Sequence, residues 1–178
     1  EILARILDDR HLTEREMHDM VTKKDARYRA LYRPHLALID GLQQFLDAAV
    51  GAGIRMAIAS GSTPENVDMV LDGLNIRHYF KAIVSGAEVK KSKPDPATFI
   101  MAAKKLAADP TDCIVFEDMP QGVEAARRGG MMAVAILTTH PQESFAPYSN
   151  LLNMIHDYRS TSVTELIGLA QVQNADRA

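Results

Sequence analysis

The chain has 178 residues, of which 47% are hydrophobic and 24% are charged, and its formal net charge is -3. This composition is typical of a globular protein with one ordinary domain, or with a core and a small appended subdomain. It argues against a protein that binds nucleic acid or a membrane, because the sequence has neither a strong positive charge nor a run of roughly 20 apolar residues.

The only cysteine is Cys113, at the start of the apolar run 113–116. No intramolecular disulfide can form, and we predict a buried structural thiol, which suits a reducing compartment. The N-terminal residues 1–5 lack the features of a secretory signal. The expected location is therefore the cytoplasm. The expected state is a monomer or weak homodimer.

A helical unit is predicted for the first part of the chain. Thr13 and Glu16 have the spacing of a capping box, and apolar residues follow at helical intervals as far as Leu31. The helical pattern breaks around residues 33–35, where a proline interrupts it. We therefore place a boundary here, with a helical subdomain at 1–35 and an α/β core at 36–178.

From this boundary on, helices alternate with short apolar runs. Helices are predicted to begin at Gly41, at the N-cap Thr63, at Asp95, near Pro120 and at Ser162, and strands are predicted at 54–59, 82–85, 113–116, 131–137 and 153–156. Because each crossover between parallel strands must return over the sheet, this alternation predicts a doubly wound parallel sheet with helices on both faces.

Three polar clusters follow predicted strands, namely residues 60–62, the loop that contains Lys93, and the pair Glu117 and Asp118. An open α/β sheet gathers its ligand groups at the carboxyl ends of its strands. We therefore expect the three clusters to meet at one site.

For two of these clusters, an ordinary structural role is an alternative to ligand binding. Ser60, Gly61 and Ser62 offer hydroxyl and amide donors for an anion, but an isolated segment of this kind more often forms a turn and a helix cap. The adjacent carboxylates of Glu117 and Asp118 lack a counter-charge in the sequence around them, which indicates Mg²⁺. Capping of the next helix is the alternative for this acidic pair.

Lys93 lies in the segment 90–96, in which two prolines stiffen the backbone. A lysine held in this way can act as a positioned positive charge, whereas three lysines in four residues ordinarily form a solvated basic loop. Because the other two polar clusters are expected at the same edge of the sheet, we favour a role for Lys93 at the site. As a residue of a surface loop, Lys93 is expected to contribute little to stability.

Taken as a set, the segments 58–62, 92–96 and 115–118, followed by Gly122, resemble motifs II, III and IV of the haloacid dehalogenase-like (HAD) superfamily. Nearly the whole chain is similar to the β-phosphoglucomutase-like branch, and residues 1–34 resemble the rear part of the helical cap of that branch. The resemblance implies a Rossmann-like α/β core with a partial helical cap. It also implies an Mg²⁺-dependent phosphatase for a small phosphorylated metabolite, for which we expect a sugar phosphate.

The resemblance further implies a role for each cluster. The serine loop binds the transferring phosphoryl group, the lysine neutralises the charge of that group, and the acidic pair holds Mg²⁺. The expected substrate-binding residues are Ser60, Gly61, Ser62 and Lys93, of which Ser60 and Lys93 are catalytic, and the expected metal ligands are Asp118 and Glu117.

Lys24 is a further candidate, because it falls on the apolar stripe of the first predicted helix between Met20 and Tyr28. It matches a position from which the cap of the resembled branch supplies basic residues to the substrate. A side chain that only extends from the edge of the stripe into solvent is the alternative.

The first motif of the family, an Asp-x-Asp segment at the end of the first core strand, has no match in the sequence. Asp8 and Asp9 form the nearest acidic cluster, but no apolar strand precedes them. Because the family forms an aspartyl-phosphate on that motif, we expect the nucleophile to lie upstream of Glu1 and the chain as written to be inactive. The strands that end at Ala59 and Phe116 would then have unpaired edges.

Alternative functions share the observed motifs. A phosphomutase would differ in whether its cap excludes water from the site. A catalytically inactive HAD-fold binding module would keep the fold without the nucleophile. A dehalogenase is disfavoured, because a neutral alkyl halide gives no reason for the acidic pair.

Overall fold

The computed structural model describes residues 13–175, and the chain divides between Leu36 and Ala37 into two compact units. The described part of the first unit, residues 13–36, is helical, and the second unit alternates helices with strands. No helix within the described residues is long and apolar enough to cross a membrane.

In the first unit, helix α1 spans Glu14–Tyr32 and is followed by a 3-10 turn at Arg33–His35. The Thr13 hydroxyl accepts a hydrogen bond from the N–H of Glu16, and the carboxylate of Glu16 accepts one from the N–H of Thr13. The predicted capping box is therefore confirmed, and it explains why the helix begins where it does.

The second unit contains the remaining helices and all the strands of the described chain. Its helices are α2 (Leu42–Gly51), α3 (Pro64–Gly73), α4 (Ala97–Lys105), α5 (Pro120–Arg128) and α6 (Val163–Ala175). Its strands are β1 (Met56–Ala59), β2 (Phe80–Val84), β3 (Ile114–Glu117), β4 (Met132–Ile136) and β5 (Leu151–Ile155). Each predicted element is present, with ends that differ by a few residues.

The strands form two parallel sheets, one of β1 and β2 and one in the order β3-β4-β5. The predicted parallel α/β fold is confirmed. Within residues 37–175, however, no backbone ladder joins β1 to β3, so the strands do not form one continuous sheet. These two strands are the ones for which the sequence predicts unpaired edges.

Strand β4 shows why helices lie on both faces of the larger sheet. All of its residues are buried. Ala133 and Ala135 pack with Val123 of α5. Val134, between them in sequence, packs instead with Leu166 of α6. Because alternate residues of a strand point to opposite faces, α5 covers one face of the sheet and α6 covers the other, as a doubly wound fold requires.

One local prediction is confirmed in position only, and another is wrong. Thr63 occupies the N-cap position of α3, but its side chain makes no capping hydrogen bond, and its Oγ1 atom is buried without a partner among the described residues. Cys113 is free as predicted, but it is half-buried rather than buried. Burial and the nearby carboxylates of Asp112 and Asp109 raise the pKa of its thiol, so the thiol stays protonated and poorly reactive at neutral pH.

Four helices of the second unit, α2 to α5, end in the same way. The residue after each C-cap has a positive φ, and its N–H and the next N–H both donate back to the last helical turn. The residues with positive φ are Gly53, Asn75, Ala107 and Gly130. This closure is the Schellman motif, which satisfies terminal carbonyls and turns the chain toward the next element. Glycine and asparagine suit the position, and Ala107 is the exception.

Replacing Ala107 with glycine is expected to stabilise the protein. At its φ of 51° the Cβ atom crowds the backbone, and glycine removes this strain while adding freedom to the unfolded chain. We expect a net gain of about 0.5–1 kcal/mol in the free energy of unfolding, measured by urea denaturation. Ala108→Gly is the matched control, because it adds the same freedom without relieving strain and should be destabilising. A loss of stability in both variants would show that position 107 is not strained.

Candidate functional site

The loop after β1 begins with Ser60, whose N–H donates to the carbonyl of Val84 at 2.9 Å. This bond extends the parallel pairing of β1 and β2 by one residue and so fixes the start of the loop. The Ser60 Oγ atom accepts a hydrogen bond of 3.1 Å from the N–H of Ser62. Its hydroxyl hydrogen has no acceptor within the described part of the chain, so Ser60 can donate to a ligand.

Gly86, which follows β2, supports the serine loop. Its N–H donates to the carbonyl of Ser62 at 2.9 Å. A Cβ atom at position 86 would lie 2.3 Å from the carbonyl oxygen of Gly61. Any larger residue would therefore displace the backbone of the loop. The contact joins loops from different parts of the sequence, so motif spacing alone does not reveal it.

The Lys93 ammonium reaches the ends of both β1 and β3. It donates to the carbonyl of Ala59 at 3.2 Å and forms a short ion pair with Glu117. It also lies 4.4 Å from the centre of the Phe99 ring. Its side chain is only 20% exposed, so Lys93 is not part of a solvated basic loop.

Glu117 is the last residue of β3, and its side chain is only 8% exposed. Lys93 supplies its counter-charge, and the N–H of Met119 donates a weak hydrogen bond to its second oxygen at 3.4 Å. The expectation that both acidic residues lack a protein counter-charge is therefore wrong for Glu117. Lys93 is also not the surface-loop residue that the sequence predicts. Because removing one member of a buried ion pair leaves an unpaired charge, we now expect Lys93 to contribute to stability.

Gly122 makes room for the Glu117 carboxylate. It lies in the first turn of α5, and a Cβ atom there would be 2.1 Å from the Glu117 carboxyl carbon. An alanine at this position would have to push the carboxylate away from Lys93. The glycine therefore allows the helix to approach the end of β3 while the ion pair is kept.

Asp118, the next residue, differs from Glu117 in its surroundings. It is half-exposed, and its Oδ2 atom accepts a hydrogen bond of 2.5 Å from the hydroxyl of Thr139. Its Oδ1 atom has no partner among residues 13–175. Thr139 was not found from the sequence, although it lies in the loop after β4 and the rule that gathers ligand groups at strand ends applies there too.

The donor set of this site fits Mg²⁺. No group of three or more His, Cys, Asp or Glu side chains within the described residues could hold a metal ion, and a structural or catalytic zinc ion would need at least three such ligands. Mg²⁺ keeps several waters and takes one or two carboxylates together with phosphate oxygens. The unpartnered Oδ1 atom of Asp118 is suited to that coordination.

Ser60, Lys93, Glu117 and Asp118 thus lie near the carboxyl ends of β1 and β3, while Gly61 and Ser62 are exposed in the serine loop. Lys24 belongs to the first unit, where its side chain is 60% exposed and pairs with Asp25 at 2.9 Å. Its role toward a substrate stays a prediction. The acidic residues at positions 8 and 9 lie outside the described residues.

A family model described as haloacid dehalogenase-like hydrolase matches residues 5–136. The chain is 35% identical over 126 residues to 5-amino-6-(5-phospho-D-ribitylamino)uracil phosphatase, chloroplastic, of Arabidopsis thaliana. This match covers 71% of the chain and 34% of that protein. The chain is 43% identical over 81 residues to fructose-1-phosphate phosphatase YqaB of Escherichia coli (strain K12), which covers 46% of the chain and 43% of that protein. The matched region is therefore less than half of either relative.

Among solved structures, β-phosphoglucomutase from Clostridium difficile is similar, with a TM-score of 0.85 and 23% sequence identity. The likeness covers 97% of this chain and 77% of that chain. At this level of identity it shows a shared fold, and that fold has the same parallel α/β arrangement.

Replacing Gly122 with alanine is expected to destabilise the protein, although alanine is ordinarily the better helix former. Gly168→Ala in α6 is the matched control, because a Cβ atom there meets no other atom within 4 Å. We expect the control to gain up to about 1 kcal/mol in the free energy of unfolding. The free energy of unfolding of Gly122→Ala should be at least about 1 kcal/mol lower than that of the control when both are measured by chemical denaturation. Equal stabilities would mean that the Glu117 carboxylate moves without loss.

Proposed function

Because the chain belongs to the haloacid dehalogenase-like hydrolase family, we propose that it acts as an Mg²⁺-dependent phosphatase on a small phosphorylated metabolite, specifically a sugar phosphate. One relative is named for a phosphorylated ribityl compound and the other for fructose 1-phosphate. These names support a phosphate ester on a sugar-like carbon chain as the substrate class.

The position of the Lys93 ammonium carries this proposal. It contacts the carbonyl one residue before Ser60 and the carboxylate one residue before Asp118. A phosphoryl group bound between Ser60 and Asp118 would therefore lie beside one fixed positive charge. Catalysis of phosphoryl transfer consists largely of such positioning and charge neutralisation.

Each residue of the phosphate site has one task in the proposed reaction. The Ser60 hydroxyl donates to a phosphoryl oxygen, and N–H groups of the serine loop add further donors. The Lys93 ammonium neutralises charge on the phosphoryl oxygens as the bond to the leaving oxygen breaks. Glu117 holds that ammonium in place, and Phe99 packs against it.

Asp118 and Glu117 are the metal ligands in this proposal. Asp118 would bind Mg²⁺ directly through its Oδ1 atom. Glu117 would contribute through water, because its own oxygens already bind Lys93 and the N–H of Met119. When bound, the ion neutralises part of the phosphate charge and orients the ester.

We further propose that the nucleophile is an aspartate on a strand that precedes Glu1 and pairs between β1 and β3. Both strands end beside Lys93, yet they belong to separate sheets, and this supports the placement. The carboxylate would attack phosphorus, and the sugar oxygen would leave as an alcohol after taking a proton from solvent. Water would then attack the phosphorus of the aspartyl-phosphate, releasing inorganic phosphate and regenerating the carboxylate.

A phosphomutase would use the same groups but would return the phosphoryl group to a second hydroxyl of the sugar rather than to water. The names of both curated relatives favour hydrolysis. A binding module without catalysis would need only the phosphate contacts, and it would release no phosphate under any condition.

Replacing Lys93 with methionine is expected to lower phosphate release by the complete protein about 100- to 1,000-fold. It should also cost on the order of 1–3 kcal/mol of stability, because Glu117 is left buried and unpaired. The double variant Lys93→Met, Glu117→Gln removes that charge, so it should regain stability but no activity. Lys90→Ala, an exposed residue of the same loop, is the control for both measurements. Activity that returned with stability in the double variant would remove Lys93 from the chemistry.

The nucleophile is tested by comparing residues 1–178 with a chain extended by an N-terminal segment that contains an apolar strand and an Asp-x-Asp sequence. The extended chain should release phosphate from sugar phosphates, and a chelator should abolish the release, whereas residues 1–178 should release none. An extended chain with the first of those aspartates changed to asparagine is the matched control. Full activity from residues 1–178 alone would place the nucleophile within this sequence.

A further inference from the structure

We propose that Thr139 is a positioning residue that holds Asp118 in the orientation needed to bind Mg²⁺, an inference that rests on the proposed function. The observation behind it is a side-chain hydrogen bond between residues 21 positions apart, from the Thr139 hydroxyl to the Asp118 Oδ2 atom.

The pairing of β3 with β4 explains how the two residues meet. Glu117 is paired with Ala135 in the parallel ladder, so the chain leaves both strands at the same edge. Asp118 comes directly after Glu117, and Thr139 follows the end of β4 by a few residues. Their contact is therefore a consequence of the strand register.

The loop that carries Thr139 is fixed at both ends. On one side, the N–H of Leu137 donates to the carbonyl of Ile155 at 2.8 Å, which extends β4 toward the loop. On the other side, Phe145 is fully buried in the core. The ring of His140 packs edge-on against the ring of Phe145, with 6.4 Å between the ring centroids. The Thr139 hydroxyl is thus presented from an anchored backbone.

The Thr139 hydroxyl is a suitable hydrogen-bond donor for a carboxylate that binds a metal ion. A hydroxyl group holds one carboxylate oxygen without bringing a positive charge, so the full negative charge of Asp118 stays available to a cation. An ammonium group in the same place, such as the one that Lys93 gives to Glu117, would repel Mg²⁺. With Oδ2 held by Thr139, Oδ1 is the oxygen left for the ion.

The test is Mg²⁺ binding by the complete protein without substrate, measured by titration calorimetry. Thr139→Val keeps the shape of the side chain but removes the hydroxyl, and it should raise the Mg²⁺ dissociation constant about 10-fold. Thr139→Ser keeps the hydroxyl and should bind Mg²⁺ as the parent does. Thr138→Val, at the exposed neighbouring residue, is the matched control. The thermal transition in the absence of Mg²⁺ should be unchanged in all three variants, which a purely structural role would not allow.

Asp118→Asn separates failure of this inference from failure of the proposed function. If Asp118→Asn abolishes Mg²⁺ binding while Thr139→Val binds as tightly as the parent or more tightly, Thr139 does not position the ligand and the inference is overturned. If Asp118→Asn binds Mg²⁺ as the parent does, the metal site of the proposed function is itself wrong. Weaker binding in both Asp118→Asn and Thr139→Val, with the serine variant intact, supports both.

Discussion

The ion pair between Lys93 and Glu117 joins two sheets that share no backbone ladder within the described residues. The Lys93 ammonium also donates to the carbonyl of the last residue of β1, so it contacts the ends of both β1 and β3. The glycine in the first turn of α5 and the phenyl ring of Phe99 are arranged around this pair. The geometry of the candidate site depends on this buried charge pair more than on any other contact.

The two neighbouring acidic residues of the site differ in burial and in the partner that each one binds. Glu117 ends a strand with its side chain toward the interior, and a cation of the protein neutralises it. Asp118 lies one residue later, half-exposed, and its protein partner is an uncharged hydroxyl. Glu117 is the last residue of β3, whereas Asp118 lies in the bend that follows the strand. The strand end therefore separates a carboxylate that is paired with a protein cation from a carboxylate with an oxygen free for a ligand.

The sequence was sufficient to predict the alternating elements, the parallel α/β class and the family, which the match over residues 5–136 confirms. It was not sufficient for the strand ends. Ile54 was expected to begin β1, but its N–H closes α2 by binding the carbonyl of Ala49. Within the site, spacing placed Ser60, Lys93 and the acidic pair on one edge. Spacing could not show which groups pair, because the partners of Glu117, Asp118 and the serine loop come from loops whose paths are set by packing.

Strand β4 is hydrogen-bonded on both sides and buried on both faces, whereas β1 and β2 form a ladder of only two strands. In residues 1–178 alone, without a strand between β1 and β3, amide protons of β4 are therefore expected to exchange with solvent only through global unfolding, and those of β1 and β2 through a smaller opening. Ser60 follows β1 of the smaller sheet, and Asp118 follows β3 of the larger one. A fluctuation that leaves most of the second unit folded would thus separate the serine loop from the carboxylate, so protection against hydrogen exchange in β1 reports directly on whether the site is assembled.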